Sequence, residues 1–142
     1  MKKVICLAVL FILVLTTGCQ TAIERDKAKM LEIFQNTDNY ITLTGTVIQV
    51  DNGSHRTKIV VRCEELKQLL AQEDDECEYW VFSNSNVNIS VGDSIVYTTV
   101  PLQDPYGTWL PIVAISTNGN DILNFEEGRE NLIEWVNQLQ MK

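Results

Sequence analysis

Apolar positions along this chain change period several times, and each change marks an element. Val4 to Leu15 is almost continuously apolar. Thr21-Ala22-Ile23-Glu24 then has the form of a capping box, in which a hydroxyl and a carboxylate satisfy the free N–H groups of a first helical turn. Ile23, Met30, Leu31 and Phe34 recur at helical spacing, which predicts a short amphipathic helix over residues 22–35. From Tyr40 the period drops to two. Ile41, Leu43, Gly45 and Val47 alternate with Thr42, Thr44 and Thr46, as in a strand with one buried face. Asp51-Asn52-Gly53-Ser54 supplies a hairpin turn, and Thr57 to Cys63 a second, β-branched strand. Glu64 to Gln72 reads as one or two helical turns carrying Leu66, Leu69 and Leu70.

After an acidic loop, Glu73 to Glu76, a third strand over Glu78 to Phe82 is rich in aromatics. Ser83 to Asn88 is a polar connector, and Val91-Gly92-Asp93 turns into a fourth strand, Ser94 to Val100. Asp104-Pro105-Tyr106-Gly107 has turn chemistry at its first, second and fourth positions. Trp109 to Ile115 is a fifth strand, in which Pro111 points to an edge or a bulge. Asn118-Gly119-Asn120 is read as the end of the sheet region. Asn124 then caps a last helix, with Glu127 three residues on. Phe125, Leu132, Val136 and Leu139 form its stripe, widened by Ile133 and Trp135, and Gly128 within it costs about 1 kcal/mol relative to Ala.

Short strands separated by turn residues predict a small closed or partly open barrel, mainly β with flanking helices. Val91-Gly92-Asp93-Ser94-Ile95-Val96 resembles the turn into the fourth strand of many OB-folds, and Gly45 fits the bend that such barrels need. The resemblance implies a five-stranded OB-like barrel over 38–120, preceded by a tether helix in 19–37 and followed by a helix in 121–142 packed on it. The helical stretch departs from that family, falling between strands two and three rather than three and four. A small β-sandwich is the alternative.

The first segment changes the picture most. Met1-Lys2-Lys3 and the apolar run form the start of a secretory signal, and the run is shorter than the roughly 20 residues of a membrane span. Leu15-Thr16-Thr17-Gly18-Cys19 resembles the lipobox of bacterial lipoproteins, with the leucine one place further out than usual. The resemblance implies a signal peptide over 1–18, cleavage after Gly18, and a diacylglyceryl thioether and an N-acyl chain on Cys19, which anchors the protein to membrane lipid. Multiple acyl chains make such anchoring stable, at about 0.8 kcal/mol per buried CH₂. The expected location is a cell membrane or outer membrane, facing the periplasm or exterior.

Loss of residues 1–18 takes two lysines from 11 bases and leaves 19 acids, so the net charge moves from −8 to −10. So acidic a chain is repelled by phosphate backbones, so nucleic acid is not an expected partner, and its sequence also lacks a basic patch for anionic lipid. Of four cysteines, Cys6 leaves with the signal and Cys19 is lipidated. Cys63 and Cys77 remain, as a disulfide in an oxidising compartment or as two buried thiols. With the lone His55 they lack the spacing of a structural zinc site, and Glu73 to Glu76 lacks the alternation of an EF-hand. No cofactor or metal is expected.

The pattern does not favour an enzyme. His55 lies in a hairpin turn with nothing to orient it as a base, and no nucleophile or phosphate-loop motif occurs. The expected function is a non-enzymatic binding or accessory module for an envelope protein or other envelope component. The alternative is a small cell-wall glycan hydrolase, which needs two carboxylates facing each other across a cleft. Aromatics are the better lead: Trp80 and Phe82 share one face of the third strand, to fill the core or anchor a partner. OB-folds bind on strands two and three with the loops after strands one and four. Here those loops carry His55 and Arg56, and Asp104, Tyr106 and Trp109, which are expected at one rim.

Overall fold

The computed structural model describes residues 24–71, 73–83, 86–101 and 110–139. Cys19, the capping box at Thr21, and Asp104, Tyr106 and Trp109 lie outside them. The helix predicted over 22–35 is described from residue 24 to 35 (α1). A single 3₁₀ turn, Thr37–Asn39, capped by the Asn36 side chain, redirects the chain into β1, Ile41–Asn52. There follow β2 (Arg56–Arg62), α2 (Glu64–Leu70), β3 (Glu76–Phe82), β4 (Ser94–Thr99), β5 (Leu110–Thr117), β6 (Asn120–Leu123) and α3 (Phe125–Gln138).

The strands close on themselves. Their order is β3-β2-β1-β4-β5-β6, and β3 also pairs with β5, in parallel, through Tyr79↔Leu110, Trp80↔Pro111 and Val81↔Ile112. The long β1 makes this possible. Its first half pairs with β4 (Ile41↔Thr99 to Thr46↔Ser94) and its second half with β2 (Thr46↔Arg62 to Asn52↔Thr57). Such a strand must coil sharply. Gly45 sits where it passes closest to its neighbour: a Cβ there would lie 2.5 Å from Val61 Cγ1 and 2.7 Å from the Arg62 carbonyl oxygen. The result is a closed, five-stranded mixed barrel, OB-like, with helices at both chain ends. The sandwich alternative is therefore overturned.

Two bulges keep the barrel interior apolar where strict alternation would fail. The register of β1 on β2 shifts between Val47 and Gln49, so Ile48 is skipped and both Val47 and Val50 turn inward. On β5 the partner of Thr98 is Ala114 and that of Thr99 is Ile112, which skips Val113. Ile112 and Ile115 thus both face the interior while Val113 faces out. Pro111 is next to this bulge, and its carbonyl accepts a 2.6 Å hydrogen bond from the buried Thr99 hydroxyl. The connector 83–93 contains no helix in its described residues; Val87 and Ile89 join the core directly.

Val113 belongs to a second core outside the barrel wall. There Phe34 and Met30 of α1, Phe82, Val100, and Leu132 and Val136 of α3 pack together. The two helices run antiparallel. Lys27 near the start of α1 donates to the Asn137 carbonyl near the end of α3 (2.6 Å), while Tyr40 after α1 meets Phe125 at the start of α3 edge-on, 5.1 Å apart. The apolar stripe of α1 is thus spent on the domain.

Two boundaries differ from the sequence reading. Asn118-Gly119 does not end the sheet. Both residues have positive φ (52° and 78°), as a two-residue hairpin requires, and the chain returns as β6, pairing Thr117↔Asn120 and Ile115↔Leu123. The stretch 121–142 therefore begins inside a strand. Helix α2 is shorter than Glu64 to Gln72, ending at Ala71 in the left-handed conformation.

Candidate functional site

Strands β2 and β3 alternate strictly, so their two faces have separate chemistries. Inward go Thr57, Ile59 and Val61, with Tyr79 and Val81 across from them. Outward go Arg56, Lys58, Val60 and Arg62, paired in register with Phe82, Trp80, Glu78 and Glu76. This outer face is a ladder of opposite charges ending in aromatics. Lys58 reaches Glu78 at 3.2 Å, and Arg62 reaches Glu76 at 2.6 Å and Asp75 at 3.7 Å. These pairs are partly exposed, so water and salt screen them and they add little to stability. The Glu76 carboxylate, by hydrogen bond and charge, raises the pKa of Arg62.

Arg56 differs from the other cations. Its guanidinium carbon lies 4.0 Å from the centre of the Trp80 ring. Among the described residues it makes no ion pair, so its N–H edges remain open to a ligand while its face is held by the indole. The hairpin that carries it is closed by Gly53 N–H to the Arg56 carbonyl (3.0 Å) and by Thr57 Oγ1 to Asn52 Oδ1 (2.9 Å). Between this hairpin, β3 and the end of α3 runs a groove of about 690 Å³. Asp51, His55, Arg56 and Lys58 form one side, with Trp80, Trp135 and Gln138 on the floor and the other side. A smaller pocket of about 100 Å³ continues it past His55, Ser83, Asn131 and Glu134. Trp135 is held by stacking on Phe82, with ring centres 4.6 Å apart.

The structure places His55 and Arg56 at this groove, on the face named from the sequence. Asp104, Tyr106 and Trp109 lie outside the described residues; the strand they lead into starts at Leu110, opposite Tyr79. Trp80, named from sequence as core filler or partner anchor, also lines the groove; Lys58 and Trp135 line it too and were not assigned to it from sequence. Parity could have found Lys58, which shares the outward face of Arg56 and Trp80. Nothing local could have found Trp135.

A second cluster lies inside the barrel. Tyr79 and Tyr97 are fully buried, edge-on at 5.1 Å, and their hydroxyls are 2.9 Å apart. Burial pushes both phenols far above their ordinary range. Cys63 and Cys77 adjoin them. The disulfide expected between these two is corrected here: both are free thiols, Cys63 buried and Cys77 half-buried. Cys77 is opposite Val61, two residues before Cys63, so the two thiols are diagonal neighbours on one face. The Cys63 sulfur instead caps α2, accepting the Leu66 N–H at 3.5 Å. Burial raises the Cys77 thiol pKa, partly offset by its hydrogen bonds to Tyr79 and the Glu78 backbone.

Among the described residues no group of three or more His, Cys, Asp or Glu is placed to hold a metal ion. No described helix is long and apolar enough to cross a membrane. Comparison with family models, with curated proteins and with solved structures found no match.

Proposed function

We propose that this chain is a lipid-anchored protein of a bacterial cell envelope, cleaved after Gly18 and acylated at Cys19, whose barrel is a non-enzymatic binding module for an envelope component. The observation that carries the binding half is the groove. It lies on the β2–β3 face that OB barrels use, is floored by Trp80 and Trp135, and holds an Arg56 that is oriented by the indole and makes no ion pair among the described residues. Anchors of this kind, large rigid aromatics beside an arginine, dominate binding energies at many interfaces. Supporting the non-enzymatic reading, Asp51 is the one carboxylate among the described residues lining the main groove, and it takes a 2.6 Å hydrogen bond from Gln49.

The test is a photo-reactive residue in place of Gln138, at the groove, or of Leu69, on exposed α2, irradiated in intact cells. An adduct formed from position 138, lost with Arg56→Ala and absent from position 69, supports the reading. The same adducts from both positions sink it.

A further inference from the structure

The fold separates charges that the sequence interleaves. At the α2 end of the barrel Glu64, Glu65, Glu73, Asp74, Asp75 and Glu76 stand with two cations among the described residues of that stretch, Arg62 and Lys67. The groove end is different. Arg56 and Lys58 line it, and the first half of α1, with Arg25, Lys27 and Lys29, is brought beside it by the bond from Lys27 to Asn137. Against these five stand Glu24, Asp26, Asp51, Glu134 and Glu78, the partner of Lys58, so this end is balanced while the far end is strongly acidic. A net charge of −8 conceals this.

The groove end is also the end that the anchor holds. Residue 24 is five residues from Cys19, a span of at most about 18 Å when fully extended. Asn137, which Lys27 grips, is the immediate neighbour of the groove residue Gln138. An acylated Cys19 therefore holds the groove within a short reach of the bilayer surface. The acidic end, repelled by anionic lipid, is driven outward.

We propose that the groove is a docking site for anionic phospholipid headgroups, with Arg56 taking the phosphate, Lys58 beside it in its pair with Glu78, and Trp80 and Trp135 lying at the headgroup level. The proposal rests on the envelope-lipoprotein reading and names the occupant of its site. An arginine held flat on an indole presents its N–H fork to a phosphate already oriented, so less freedom is lost on binding. Tryptophan is at home at that depth, one edge apolar and the other wet.

The test uses the full chain, expressed in bacteria so that any acylation occurs, and floated with vesicles. One set is phosphatidylcholine; the other contains about 30 % phosphatidylglycerol, enough to give a negative surface potential. Both carry a trace of headgroup-dansylated lipid, and tryptophan-to-dansyl energy transfer is read. Flotation with phosphatidylcholine alone reports the anchor, so its failure overturns the lipoprotein reading and is seen separately. On phosphatidylglycerol the transfer is expected to rise, and to fall back at about 0.5 M salt, where charge is screened within a few ångström. The rise should vanish in Arg56→Ala/Lys58→Ala and persist in Lys67→Ala at the far end. Excess inorganic phosphate should leave it in place, since the headgroup is held at the surface at high local concentration. Equal transfer on both lipids, a rise that the double variant retains, or one that Lys67→Ala also abolishes overturns the proposal. Arg56→Lys, which keeps the charge without the fork, guards against a folding artefact: it should retain part of the rise.

Discussion

Gly128 of α3 rides directly on the carbonyl of Val113 in β5, so close that a Cβ at that position would overlap the oxygen. The glycine that weakens the helix in isolation is what lets the helix seat on the barrel.

Gly128→Ala therefore reverses the ordinary expectation. Helix propensity alone would raise stability by about 1 kcal/mol, whereas forcing the helix off the strand costs about 1–3 kcal/mol. The net outcome expected is a loss, read as a lower urea midpoint with an unchanged slope. A higher midpoint would mean that α3 does not approach β5 through this residue.

Alkaline pH should unfold the protein through its tyrosines. Tyr79 and Tyr97 have phenols raised far above their ordinary value, and burial pushes Tyr40 up to about 12, partly offset by Arg129. A group raised in the folded state favours folding fully below its unfolded pKa, near 10 for tyrosine, and that contribution is lost as pH climbs beyond it. Stability should be flat to about pH 9 and fall steadily above about pH 10. Tyr79→Phe/Tyr97→Phe removes both partners of their mutual hydrogen bond, whereas either single change leaves a buried hydroxyl with only a cysteine sulfur as partner, Cys77 for Tyr79 or Cys63 for Tyr97, and should cost about 1 kcal/mol. The double variant should show a shallower alkaline decline. An identical decline would assign it elsewhere.

The two thiols should differ in reactivity. In the folded protein an alkylating reagent should reach half-buried Cys77 before buried Cys63, and both should be labelled after unfolding without reductant. Equal rates in the folded protein, or resistance after unfolding, would contradict two free thiols placed in this way.

At the other end of the chain, Cys19→Ser should abolish lipid labelling and leave uncleaved precursor in the membrane. An intact mass for the wild type that begins anywhere but at an acylated Cys19 would refute the anchoring.

Strands were legible where their information is local. Thr42 to Val47 alternates cleanly, and Asn52-Gly53 announces its hairpin. The same dipeptide at Asn118-Gly119 was passed over because β6 is four residues long and its apolar pair, Ile122 and Leu123, is adjacent, leaving no period to see. The parallel closure of β3 on β5 joins segments some thirty residues apart and has no sequence signature. The groove is harder still, since hairpin, strand and helix end meet there from three separate stretches. Charge, summed over the chain, hid where each charge stands. The resemblance to an OB barrel supplied the one non-local expectation that the structure bears out, a small closed barrel.

The pairing of β3 with residues 110–112 also sets a timetable. A chain that emerges N-terminus first can build the hairpin of β1 and β2 early but cannot shut its barrel until residues 110–112 have followed. Helix α3, which seals Phe34 and Phe82 beneath it, arrives later still. Non-local closure of this kind is slow. The barrel thus stays open, and its chain threadable, until its fifth strand is free to pair.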